Sequence, residues 1–72
     1  MPLIDVQVLE GVYSDEEKSR IIEKLTQAFG EIAGRTMAEA TSVRIHEIRS
    51  GSWGYAGRPM TTKDGLAMRK RG

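Results

Sequence analysis

Leu3-Ile4-Asp5-Val6-Gln7-Val8-Leu9 and Thr41-Ser42-Val43-Arg44-Ile45-His46-Glu47-Ile48 are the two stretches whose reading decides the fold. In the first, Ile4, Val6 and Val8 alternate with Asp5 and Gln7; in the second, Val43 and Ile45 alternate with Arg44 and His46. A period of two with one apolar face predicts a strand in each place. Between them, Glu10-Gly11 closes the first strand and Ser14-Asp15-Glu16-Glu17 forms a capping box, so a helix begins at Asp15. Ile21, Ile22, Leu25, Ala28, Phe29 and Ile32 then recur at three- and four-residue spacings opposite a charged face. This amphipathic helix ends near Ala33-Gly34, with Gly34 as a left-handed cap. Gly30 inside it costs about 1 kcal/mol relative to alanine, and close packing against a neighbour accounts for its presence. Arg35 to Ala40 is read as a short connection. The whole is a β-α-β unit, whose crossover is right-handed and whose strands are parallel.

Two parallel strands under one helix leave a sheet face and both edges bare, whereas parallel sheets are normally covered on both sides. With 72 residues and no cysteine, the chain is one small domain without disulfides or thiolate zinc sites. A domain of this size buries only about 60% of its unfolded surface, and oligomerisation is the support left to it. Eleven Lys and Arg against ten Asp and Glu give a net charge of +1, which argues against a dedicated nucleic-acid binder. An apolar fraction of 39% is that of a chain that folds, and Asp5 breaks the first apolar run, so neither a membrane span nor a secretory leader is read. The expected setting is cytoplasmic, with no nucleic-acid or membrane partner.

Further along, Gly51-Ser52-Trp53-Gly54-Tyr55-Ala56-Gly57 reads as a small hairpin or tight loop presenting two aromatics. Residues 59–72 form a weakly periodic tail, expected to order against another subunit, behind a single-domain core of residues 2–58. No thiol nucleophile, metal-ligand cluster or phosphate-binding loop is present in the sequence. The lone His46 is read as structural, and Glu16 and Glu17 as first-turn carboxylates favoured by the helix dipole. What stands out is Met1-Pro2: removal of Met1, which a small second residue permits, makes the Pro2 nitrogen a secondary amine anchored by the strand it opens. An α-amino group titrates near 7.7–8.0, and a desolvated pocket beside a cation lowers that towards neutrality, where the amine serves as a general base.

Met1-Pro2-Leu3-Ile4, the strand to Leu9-Glu10-Gly11, Ser14-Asp15-Glu16-Glu17-Lys18, Thr41-Ser42-Val43-Arg44, Glu47 and the glycine-aromatic hairpin at 51–57 together resemble the 4-oxalocrotonate tautomerase family across residues 2–58. The resemblance implies an α/β tautomerase-like fold and a cofactor-independent isomerase that interconverts enol and keto forms of 2-oxo acids. Pro2 would be the acid/base, Arg44 the substrate-carboxylate clamp, and Trp53 the aromatic that keeps the pocket dry. It also implies a homohexamer, a trimer of dimers, with sites built between subunits, and a place in aromatic-compound catabolism. One departure stands against the family pattern. Where many relatives read Gly-Arg-Ser-Asp-Glu, this chain reads Gly11-Val12-Tyr13-Ser14-Asp15-Glu16. The arginine is missing and a residue is inserted, which removes a charge-assisted contact worth about 1.5–3 kcal/mol when desolvated. A monocarboxylate such as an arylpyruvate enol is then easier to accommodate than the dicarboxylate 2-hydroxymuconate, and Arg35 or Arg58 is the candidate replacement cation. The competing expectations are a non-catalytic subunit of the same fold, in which a retained Met1 leaves Pro2 an amide, and a hydratase or dehalogenase variant of the same site.

Overall fold

Both expected strands form, and their pairing sets everything else in the chain. The computed structural model describes all 72 residues, Met1–Gly72. Strand β1 (Leu3–Leu9) and strand β2 (Ser42–Ile48) run parallel in the register Leu3↔Ser42 to Leu9↔Ile48. The ladder continues one residue past each end, where Ser42 N–H donates to the Pro2 carbonyl (2.9 Å) and Glu10 N–H to the Ile48 carbonyl (2.8 Å). Helix α1 (Asp15–Ala33) crosses between them behind the expected capping box: Ser14 Oγ accepts from Glu17 N–H at 3.1 Å, and Glu17 Oε1 accepts from Ser14 N–H at 2.9 Å.

Three features of the crossover differ from the sequence reading. Residues Arg35–Glu39 are not a plain connection but a short helix, α2, folded back on the end of α1. Its Ala38 explains Gly30, because a Cβ at Gly30 would stand 2.7 Å from the Ala38 Cβ. Gly34 is not in the left-handed helical well; φ 97° with ψ 166° is an extended positive-φ state open essentially to glycine alone, and it lets the chain turn straight from α1 into α2. Third, the apolar stripe of α1 is wider than the surface available to it. Ile21, Leu25 and Phe29 are partly covered, whereas Ile22, Ala28 and Ile32 face outwards, Ile32 being 93% exposed. Two strands about 4.8 Å apart cannot shield a helix about 10 Å across.

The hairpin consists of β3 (Trp53–Tyr55) and β4 (Arg58–Met60), paired antiparallel with Trp53 opposite Met60. Ala56 (φ 51°) and Gly57 (φ 79°) make its two-residue turn, the doubly positive geometry that suits strand twist. The hairpin therefore runs past Gly57 to Met60, into what the sequence reading assigned to the tail. The remainder of that tail is helix α3 (Thr62–Lys70), started by a second capping box between Thr61 and Asp64 and bonded to its own chain through Thr62 and Glu10. Those bonds to Thr61 hold the Asp64 carboxyl below its ordinary range.

Little of this is buried. Val12, at 6% exposure, is the one residue in the chain's interior. The accessible surface is 5683 Å², whereas a compact monomer of this mass exposes about 4,450 Å². The radius of gyration, 14.5 Å, likewise exceeds the roughly 11 Å of a compact chain of this length. No helix is long and apolar enough to cross a membrane.

Candidate functional site

Strand alternation sorts the polar residues by face. Glu47 reaches Lys18 of α1 at 3.1 Å, so Val43, Ile45 and Glu47, with their partners Ile4, Val6 and Val8, face the helix. Leu3, Asp5, Gln7 and Leu9, with Ser42, Arg44, His46 and Ile48, face the open side. The pairing with Glu47, followed by that with Asp15, raises the affinity of Lys18 for its proton.

The three residues singled out from the sequence fall in different places. Pro2 is half-buried at the amino-terminal mouth of the ladder, its carbonyl held by Ser42 N–H; Met1 before it is 97% exposed. Carried one residue back, the alternation sets the Pro2 ring on the helix side. Arg44 stands three residues further along, opposite Asp5 on the open side, exposed and without an ion pair. Trp53 is half-buried at the other end of the sheet, in a cleft of about 470 Å³. Leu9, Val12, Tyr55, Met60 and Met68 share that cleft, with Gln7 and Arg69 as its polar members. Five to seven residues of strand separate Pro2 from the Gln7–Leu9 wall, about 16–23 Å at 3.3 Å per residue. Arg44 therefore stands three register positions from Pro2 and on the other face of the ladder, and two positions from Gln7 of the Trp53 cleft, on the same face as Gln7.

The missing cation beside Val12-Tyr13 has a structural counterpart that sequence reasoning did not find. The guanidinium of Arg69, from α3, lies 4.9 Å from the centre of the Tyr13 ring. Its Nη1 donates to the Val12 carbonyl (2.9 Å) and to Glu17 Oε1 (2.8 Å), and its Nη2 to Glu17 Oε2. Arg69 and Glu17 therefore largely neutralise each other. The guanidinium holds the Glu17 carboxyl down to about 2, with the Ser14 N–H as the next cause, and Glu17 in turn raises Arg69 further above its usual range. Arg35 and Arg58, the cations suggested by the sequence, make no ion pair. A contact spanning 52 residues has no local signal; the only sequence hint was Thr61-Thr62-Lys63-Asp64, whose capping pattern announces α3.

Comparison with known proteins gives one consistent answer. The family model described as tautomerase enzyme matches residues 2–63, so α3 lies almost wholly beyond it. The chain is 40% identical over 57 residues to a 2-hydroxymuconate tautomerase of Comamonas testosteroni, covering 79% of this chain and 87% of that protein. To the 2-hydroxymuconate tautomerase of Bacillus subtilis it is 36% identical over 61 residues, 85% of this chain and 95% of the other. Among solved structures, TomN, a 4-oxalocrotonate tautomerase homologue in the tomaymycin biosynthetic pathway, superposes with a TM-score of 0.73 at 34% identity, covering 99% of this chain and 97% of its own.

Proposed function

We propose, from the premise that this chain belongs to the tautomerase family, that it is a cofactor-independent tautomerase acting on the enol and keto forms of 2-oxo acids. The observation that carries this reading is Arg44. A guanidinium on β2 stands exposed on the open face without a counter-ion, three register positions along the ladder from Pro2 and on the other face. Its planar fork suits a carboxylate, and it keeps its proton at any physiological pH.

In this mechanism Met1 is removed and the Pro2 nitrogen becomes the base. It takes the proton of the enol hydroxyl as the O–H electrons become the carbonyl π bond; the carbon–carbon π electrons then accept that proton back from the prolinium. Proton count and charge are unchanged over the cycle, so no cofactor is required. Arg44 holds the carboxylate and favours negative charge on the adjacent oxygen. Trp53, too far from Pro2 in its own chain, would wall the site of a neighbouring copy with apolar surface. The surplus of accessible surface and the outward-facing Ile22 and Ile32 support such an assembly, for which a homohexamer built as a trimer of dimers is our reading. The relatives' 2-hydroxymuconate carries two carboxylates. With Arg69 neutralised by Glu17, a monocarboxylate such as an arylpyruvate enol fits this chain better. We place the protein in the cytoplasm, in the breakdown of aromatic compounds.

The test is ketonisation of the enol of phenylpyruvate and of 2-hydroxymuconate by the protein and its Pro2→Ala and Tyr13→Phe variants. Pro2→Ala is expected to lose about 10²-fold or more in kcat, the scale of general acid-base catalysis, and Tyr13→Phe little. A Pro2→Ala protein with the parent's kcat overturns the mechanism. The absence of a free cation at Val12-Tyr13 favours a second reading, a non-catalytic subunit of the same fold. An intact mass that retains Met1 would select it, because the Pro2 nitrogen is then a tertiary amide without a basic lone pair.

A further inference from the structure

Asp5 lies directly across the ladder from Arg44, on the same open face. Opposite charges in that position normally join, and such cross-strand pairs contribute about 0.2–1 kcal/mol. Here they do not join. Asp5 Oδ1 is 3.2 Å from His46 Nε2, one pleat further along β2, and no carboxylate lies within ion-pair distance of Arg44. His46 and Arg44 share that face, since both have the open-side parity of β2. With Gln7 opposite His46, the charged members of the face are Asp5 and Arg44, with the His46 imidazole beside them.

We propose that His46 is a positioning residue for substrate binding: by engaging the Asp5 carboxylate it keeps the nearest anion off Arg44 and leaves that guanidinium free for the substrate's carboxylate. The proposal rests on the reading of Arg44 as carboxylate clamp. An internal carboxylate on the same rigid ladder competes with a dissolved one at high effective concentration, so a device that diverts it lowers the apparent dissociation constant without touching the reacting atoms. The hydrogen-bond donor at residue 46 is what matters, so an amide can substitute for the imidazole.

Two measurements test it. In crystal structures, His46→Ala is expected to bring the Asp5 carboxylate within 4 Å of the Arg44 guanidinium, while His46→Gln leaves it with residue 46; an Asp5 that stays away from Arg44 in His46→Ala overturns the proposal. In kinetics with the enol of phenylpyruvate, His46→Ala is expected to raise KM about two- to fivefold, the range of a cross-strand charge pair, with kcat changed less than twofold. His46→Gln, and the double variant His46→Ala with Asp5→Asn, are expected to return KM to the parent value. A His46→Ala defect that Asp5→Asn does not relieve is a structural effect and refutes the positioning role. Arg44→Ala separates the two levels of argument: if it leaves KM unchanged, the clamp reading itself falls. If it raises KM while His46→Ala does not, only the positioning role falls.

Discussion

The two ends of the β1–β2 ladder are finished in opposite ways. At the amino-terminal end of the strands, Pro2 closes the ladder with one backbone bond, and Asp5 and Arg44 stand exposed on the open face, with the half-buried His46 next along β2. At the other end the chain is tied down several times over. Thr62 Oγ1 donates to the Glu10 carbonyl (2.7 Å), Ser50 N–H to Glu10 Oε2 (2.8 Å), and Thr62 N–H to Ser50 Oγ (3.0 Å). Arg69 meanwhile clamps Val12 and Glu17. Gly65 of α3 rests on Val12, the one interior residue. The tied end supplies stability to a domain with almost no core; on the function proposed above, the open end keeps polar groups available for chemistry. Substitutions at the open end should therefore change turnover or affinity with little effect on melting, and those at the tied end the reverse.

The largest expected departure is the loss of kcat in Pro2→Ala, and thermal unfolding sharpens it: a melting temperature close to the parent's keeps the division of labour, and a large fall breaks it. Arg44→Ala comes next. Losing a charge-assisted contact worth about 1.5–3 kcal/mol should raise KM roughly 10- to 150-fold, again at nearly constant melting temperature. At the tied end, Gly65→Ala would place a Cβ 2.6 Å from Val12 Cγ2. Overpacking of that kind costs about 1–3 kcal/mol, seen as a lower midpoint in urea unfolding and as faster amide exchange confined to α3 and the Val12 loop.

The smallest effect is electrostatic. The Glu17 carboxyl is held near 2 in the folded chain, against an ordinary 4.5. A lowered folded value means that the Arg69–Glu17 pair contributes stability in full above about 4.5 and loses it as pH falls towards 2. Both side chains are partly exposed, so the contribution is modest and weakens with salt. Melting curves from pH 6 to pH 2 should therefore fall less steeply for Glu17→Gln than for the parent. Parallel curves for the two proteins would show that the clamp holds α3 without stabilising the fold.

How legible each end was follows from the range of the forces involved. β1, α1 and the Ser14–Glu17 box were readable because strand alternation, helical periodicity and capping all act within a few residues. The same logic would have found α3 from Thr61 and Asp64, but a weak apolar period drew the reading towards a tail that orders against another subunit. α2 escaped because five residues carry too little periodicity; its formation depends on Ala38 fitting against Gly30. Ile22 and Ile32 were correctly apolar, yet their exposure is a matter of how narrow the sheet is, which no window of sequence expresses. Of the candidate site, Pro2, Arg44 and Trp53 were nameable from pattern and resemblance. Their separation along the sheet was not.

The sequence by itself determined the β-α-β unit, its parallel strands, the hairpin and the family to which they belong, because those rest on local periodicity and on residue identities in order. Only the tertiary structure decided which charges meet. It joined Arg69 to Glu17 beside Tyr13, turned Asp5 towards His46 and so left Arg44 free, and set Trp53 far from Pro2. Ion pairs depend on distances of a few ångströms between residues dozens of positions apart, and strand register and helix docking, not sequence spacing, set those distances.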